Sequence, residues 1–272
     1  MLPWEVCDMR DERKPVRVYL CEDSLEGILT GVYEAYQSRY GHDNIKLILA
    51  GKDYEMELFS EYCPIKPDSV SANKVLLSIM TKISEEVREH VVAAAYSNEE
   101  DKAEVIYRYL IRGFAMGGRV VDYLSDPYVS RMFAIQRKMM NEVHRWQEFL
   151  RFQVQENGLL TAVFEPKSKV VTFIMPHFSD RLPIEDFVIY DKTHDQAGIH
   201  RKQQGWILMD RLSNKYPAFV EMLENTTKEE ARTQELWRIF FDAIAIEERK
   251  NSKLQQQFIP LWSRKHMTEM QA

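Results

Sequence analysis

Residues 127–158, PYVSRMFAIQRKMMNEVHRWQEFLRFQVQENG, carry the chain from a long helical pattern into a β-rich region, and their reading decides the fold class. At about 100° per residue, Met132, Ile135, Met139, Val143, Trp146 and Leu150 fall on one narrow apolar stripe. The spacing predicts a helix from Pro127 to about Gln155, buried along that stripe, with Asn157 and Gly158 as its stop signal. The opposite side is basic. Arg131, Lys138 and Arg145 recur every seven residues, as do Arg137, His144 and Arg151, so two rows bracket one solvent face. Between 131 and 151 stand five Lys or Arg against two acids, Glu142 and Glu148.

Upstream of this helix the period is also helical from about Ser71: Val75, Ile79 and Ile83, then Val87, Val91 and Val92, then Val105, Ile106, Tyr109 and Leu110. Gly113, Gly117 and Gly118 mark close packing or a helix end there. Near the start, Val16–Cys21 alternates as a strand. Asp23 and Ser24 then supply caps for a helix carrying Leu25, Ile28, Leu29, Val32 and Tyr36, which Gly41 ends. Ile45–Ala50 reads as a second strand.

Downstream the period changes. Leu159–Phe164, Val170–Met175, Phe187–Tyr190 and Trp206–Met209 are short, β-rich and separated by turn residues, which predicts an antiparallel set over 157–210. From Pro217 the pattern is helical again, with an aromatic-rich face of Leu236, Trp237, Ile239, Phe240, Ile244 and Ile246, until Pro260 breaks the last stretch. The fold class that follows is α+β, a helical bundle packed with a small, mainly antiparallel sheet. Its subregions are 1–70 (strand-helix-strand), 71–156 (helices), 157–210 (strands) and 211–272 (helices).

Composition excludes several classes of function. With 272 residues and 45% hydrophobic content the chain can bury one large core or two smaller ones. Cys7, Cys21 and Cys63 are odd in number and far apart, which argues against disulfides, zinc ribbons and iron–sulfur clusters. The N-terminal stretch is charged where a secretion signal is apolar, and no later run suits a membrane span, so the expectation is a cytoplasmic protein without a membrane partner. A net charge of −6 repels polyanions at long range, so any nucleic-acid contact must be local.

Motifs narrow the chemistry further. GxxxxGKS, GxGxxG, GxSxG and HExxH are all missing from the sequence. Pro176-His177-Phe178-Ser179-Asp180-Arg181 follows an expected strand and puts an imidazole, a carboxylate and a guanidinium in one loop. It reads either as a loop-fixing hydrogen-bond network or as an acid–base pair beside an anion-binding arginine. Asp191, His194, Asp195 and His200 are metal-ligand types without an established metal spacing, so neither a metal nor a cofactor is expected. The basic helix has two readings: a solvated face laced with pairs such as Lys138–Glu142, or a rod whose cations neutralise phosphates and release counterions.

Taken in order, several stretches resemble the bacterial family labelled probable DNA metabolism protein, the domain of unknown function 4130. They are 18–30 (VYLCEDSLEGILT), 142–152 (EVHRWQEFLRF), Pro166, Pro176-His177-Phe178 with Asp180 and Arg181, and Ile189-Tyr190-Asp191. Near the end come Leu236-Trp237, Glu248-Arg249, Asn251, Leu254-Gln255, Pro260 and 265–269. The resemblance covers nearly the whole chain and implies one compact unit over 1–272. It departs from the family after Asp191, where Thr193-His194-Asp195 stands in place of a basic residue. The family is associated with radical SAM proteins and with uracil-DNA-glycosylase-like domains.

The resemblance therefore implies an accessory protein of DNA repair or modification, contacting DNA or a radical SAM partner. The contact residues would be Arg131, Arg137, Lys138, His144, Arg145, Arg151 and Arg181. A second expectation is an enzyme acting on a damaged base or phosphodiester, with His177 as acid or base oriented by Asp180 or Asp191. A third is a non-catalytic subunit whose basic face meets an acidic protein.

Overall fold

A computed structural model describes residues 14–51, 56–245, 251–259 and 261–270. Cys7, Ile246, Glu248, Arg249 and Pro260 lie outside them. The sequence reading gives one compact unit over 1–272. Contacts within the chain cluster into two, 1–140 and 141–272, with the division inside the long helix.

The first unit opens with β1 (Val16–Cys21), α1 (Leu25–Ser38) and β2 (Ile45–Leu49). Ser24 starts α1 by accepting a hydrogen bond from the Gly27 N–H at 3.0 Å, and Arg39 in the left-handed region ends it. A third strand, β3 (Ser60–Pro64), pairs parallel with the other side of β1. The sheet is thus wholly parallel, in the order β2-β1-β3. Sequence reading misses β3 because Ser-Glu-Tyr-Cys-Pro has neither alternation nor an apolar run.

Three helices follow, α2 (Ser69–Lys82), α3 (Glu85–Tyr96) and α4 (Lys102–Met116), with Asp68 and Ser84 capping the first two. Ile28, Leu29, Val32, Leu47, Ile79, Val87, Val91, Ile106 and Leu110 share one core with the sheet. α4 also seals the free edge of β2. Glu104 accepts the Leu47 N–H at 2.8 Å, while Arg108 donates to the Ile45 and His42 carbonyls at 2.7 and 2.9 Å. Backbone groups that would otherwise invite another strand are satisfied by side chains. Gly113 lets α4 approach Ile83, and Gly117, at φ +68°, ends the helix.

The long helix is α5 (Pro127–Phe149). Asp126 accepts the N–H groups of Tyr128 and Val129, with Pro127 in the first turn. All six residues of the predicted stripe are buried, each contributing about 1.5–3 kcal/mol of apolar burial. The helix ends one and a half turns earlier than the sequence suggests. Asn157 and Gly158 serve a hairpin turn instead, where Gly158 takes φ +80° and the Leu159 N–H donates to Asn157 at 3.1 Å.

The second unit holds a five-stranded sheet in sequential order: β4 (Gln153–Val154), β5 (Leu160–Phe164), β6 (Phe187–Asp191), β7 (Gln196–Arg201) and β8 (Gly205–Asp210). It is mainly antiparallel, but β5 and β6 are parallel. The connection between them is helical: α6 (Val171–Arg181) covers the stretch 170–175 that reads as a strand. Parallel neighbours need a crossover, and the run Val-Thr-Phe-Ile-Met, β-prone by composition, is taken up as that helix. The helical period is present in hindsight, since Val171, Ile174, Met175 and Phe178 are all buried at spacings of three and four.

α6 lies on one face of the sheet. Met175 covers Gly198 so closely that a Cβ there would stand 2.2 Å from the methionine sulfur. On the other face, α7 (Leu212–Lys215) and α8 (Pro217–Glu224) bring Leu212 and Leu223 to Val188, Tyr190 and Ala197. Covered on both sides, β6 is buried at every residue. The C-terminal half of α5 joins this unit through Trp146, packed edge-on against Phe164, Trp262 and His266 at 4.8–5.1 Å. α9 (Lys228–Ala243), α10 (Ser252–Phe258), α11 (Leu261–Arg264) and a short 3-10 turn (Thr268–Met270) complete the described chain. α9 buries none of its residues among those described.

The Met175–Gly198 contact gives a direct test. Gly198→Ala should lower unfolding stability by about 1–3 kcal/mol through overpacking, and adding Met175→Ala should recover part of that loss. Additive losses in the double-mutant cycle, measured by denaturant unfolding, would contradict this seating of α6.

Candidate anion-binding cleft

His144, Gln147 and Glu148 lie three to four residues apart and so share one side of α5. Just past its end, Leu150, Arg151 and Phe152 continue the same wall. α6 supplies the facing wall with His177, Phe178, Arg181 and Leu182, and the cleft between them measures about 570 Å³. All of it belongs to the second unit. Because 176–181 is helical rather than a loop, His177 and Arg181 are one turn apart and both line the cleft. Asp180 is exposed and does not line it. Pro176, inside the helix and without an N–H, faces solvent.

The floor is aromatic. Phe178 is buried, and the Phe152 ring meets it edge-on at 5.3 Å and Phe187 at 5.6 Å. His177 stands edge-on to Phe178 at 5.1 Å. Above this floor the charges differ in their freedom. Arg151 is pinned: Nη1 donates to the carbonyls of Glu148 and Leu150, and Nη2 donates to Glu269 at 2.9 Å. The guanidinium thereby caps the α5 C-terminus, where the helix dipole favours a cation. Burial raises the Glu269 carboxyl, but its own backbone N–H and Arg151 together hold it below the usual range. His144 is exposed, with Nε2 at 3.3 Å from Glu148. Arg181 and His177 make no hydrogen bond or ion pair among the described residues, so both are available to a ligand.

The remaining basic residues of α5 differ in their pairing. Arg131 is held by Asp101 at 2.7 and 2.8 Å and by Glu99 at 2.5 Å, and Lys138 also donates to Glu99. These partners lie in the α3–α4 connection. The expected Lys138–Glu142 pair is replaced, because Glu142 instead accepts the Lys167 and Ser168 N–H groups. Arg137 and Arg145 are exposed and unpaired among the described residues, and neither lines the cleft.

The second polar cluster falls apart into separate networks. Asp191 is fully buried and accepts from the Thr193 and His194 N–H groups and from His194 Nδ1 at 2.6 Å. Burial raises its pKa above the ordinary carboxylate value even so. Asp195 receives Tyr190 and Ser213, while His200 bonds the Glu185 carbonyl and stacks on Phe187 at 4.6 Å. No bond joins His177 to Asp180 or Asp191 among the described residues. Nor do three His, Cys, Asp or Glu side chains gather there as a metal-holding group. Burial pushes the Cys21 thiol up to about 12, which leaves it a poor nucleophile. Among the described residues no helix is long and apolar enough to cross a membrane.

Sequence reasoning placed His144, Arg151 and Arg181 in one set of contact residues and gave His177 a separate role as acid or base. It missed Gln147, Phe152 and the Arg151–Glu269 pair. Phe152 carried one usable signal: it closes the run from Glu142 in the stretch most like the family.

A model of the family described as a domain of unknown function, DUF4130, matches residues 100–269. No curated protein matches the chain. Among solved structures, a DHH-domain protein described as a member of a family of ribosomal proteins aligns over 71% of this chain and 74% of its own. The identity is 10% and the TM-score 0.32, too slight a likeness to bear on fold or activity.

The Glu99–Asp101 clamp predicts a pH dependence. Hydrogen bonds from Lys138 and then Arg131 hold Glu99 below its ordinary pKa, and Arg131 does the same for Asp101. Depressed carboxylates stabilise the fold above their unfolded pKa values, about 4.3 and 3.9. That stability is lost as pH falls through the folded values. Glu99→Gln with Asp101→Asn should lower the unfolding midpoint at pH 7 and flatten its decline between about pH 5 and pH 3. A variant declining as steeply as the parent would disprove the clamp.

Proposed function

The chain belongs to the domain of unknown function DUF4130 family, and from that premise we propose that it serves bacterial DNA repair or modification by holding nucleic acid in the cleft between the end of α5 and α6. One observation carries the reading: two stretches far apart in sequence deliver His144, Arg151, His177 and Arg181 to the same cleft. Guanidinium and imidazole groups on an aromatic floor suit the phosphate and base of a nucleotide better than they suit a metal or a carbohydrate. The chain as a whole is acidic, at −6, so binding depends on contact at the cleft and not on long-range attraction. In this reading the protein works beside a radical SAM enzyme, which performs the chemistry while this chain positions the strand.

Binding is favoured over acid–base catalysis by the isolation of His177. A histidine base is commonly oriented by a carboxylate, and Asp191 is already occupied by His194.

Fluorescence anisotropy with single-stranded and duplex DNA tests the proposal. Arg181→Ala combined with His144→Ala should weaken binding at least about tenfold, or 1.4 kcal/mol. The slope of log K against log salt should also shrink by about 1. Arg151 is left intact because removing it strands Glu269. Unchanged affinity and slope in the folded variant would refute the proposal, and a radical SAM partner retained after nuclease treatment would shift it to protein contact.

A further inference from the structure

Cations that follow a nucleic-acid backbone are strung out along it, one for each successive phosphate. The second unit arranges its cations differently. On α5, Arg145 is turned about 100° from His144 and does not line the cleft. The groups that do line it face one another across a single space, from two helices.

Their donors outnumber what one internal phosphodiester accepts. A diester has two non-bridging oxygens and one charge, whereas a terminal phosphate has three such oxygens and up to two charges. Arg181 has all its N–H groups free of partners among the described residues. Arg151 spends three hydrogen bonds on Glu148, Leu150 and Glu269, out of five donors on a guanidinium. His177 adds a ring nitrogen from α6, and His144 adds Nδ1 from α5, its Nε2 lying 3.3 Å from Glu148, a carboxylate that also lines the cleft. The cleft also pairs this polar rim with the Phe152 and Phe178 floor, and its volume of about 570 Å³ falls in the range of small-ligand sites, roughly 300–1,000 Å³.

Resting on the nucleic-acid reading above, we infer that the cleft takes a nucleotide bearing a phosphomonoester, its phosphate between Arg151, Arg181 and the two histidines and its base against Phe152. The two sources of that chemistry are the phosphorylated end of a strand and a free nucleoside monophosphate.

The test uses the full chain and one single-stranded oligonucleotide in three forms: unphosphorylated, 5′-phosphorylated and 3′-phosphorylated. A nucleoside monophosphate and inorganic phosphate serve as competitors. One phosphorylated form should bind about tenfold or more tightly than the unphosphorylated strand. Arg181→Ala and His177→Gln, shown by thermal melting to stay folded, should each erase that preference. The monophosphate should compete better than inorganic phosphate, because only it reaches the aromatic floor. Competition by the monophosphate without any preference among strands supports the pocket and assigns it to free nucleotide. If all three strands bind equally, the monophosphate does not compete and Arg181→Ala weakens them alike, the terminal-phosphate inference is overturned while nucleic-acid contact stands. Absence of binding by every probe overturns both.

Discussion

The placement of the cleft depends on how α6 rests on its sheet. Met175 occupies the space that a side chain at position 198 would fill, and that contact holds α6 down on β7. Once α6 is down, Phe178 is buried and His177 and Arg181 are turned toward the end of α5. The same helix is the crossover that makes β5 and β6 parallel. A packing contact between two uncharged residues thus positions the polar groups.

Electrostatics then selects among the cations. Arg131 and Lys138 converge on Glu99, and Arg131 also meets Asp101, so in the first unit these two cations of α5 are tied to acids while Arg137 stays unpaired among the described residues. Pairs at partly exposed positions such as these contribute modestly, about 1 kcal/mol or less each. In the second unit Arg151 is committed as a helix cap and Arg181 remains uncommitted. An acidic protein can in this way keep a small basic site without a basic surface.

Much of the fold was legible. The apolar stripe of α5, the capped entry to α1 and the helical periods of α2 to α4 all follow from spacing, because burial of one helix face imprints itself on the sequence. What was not legible depended on long-range partners. The run 170–175 has the composition of a strand, and its helical period shows only when Phe178 is taken with Val171, Ile174 and Met175. Asn157 and Gly158 signal a turn correctly, yet a turn signal does not say whether it ends a helix or joins two strands. At the site, His177 and Arg181 were recognisable as chemistry-bearing residues. Sequence reasoning groups Arg181 with His144 and Arg151, but the shared cleft follows only from the helix, which puts 177 and 181 on one side. The pairing of the α5 cations was not legible for a related reason: the acids that hold Arg131 and Lys138 stand some thirty or more residues away.

Nuclear magnetic resonance of the arginine Nε–Hε and histidine ring signals, followed during titration with a phosphorylated dinucleotide, addresses the central claim most directly. The account predicts saturable shifts at Arg181, His177 and His144, with Arg131 and Arg137 unmoved. Shifts along Arg131, Arg137 and Arg145 with the cleft silent would contradict it.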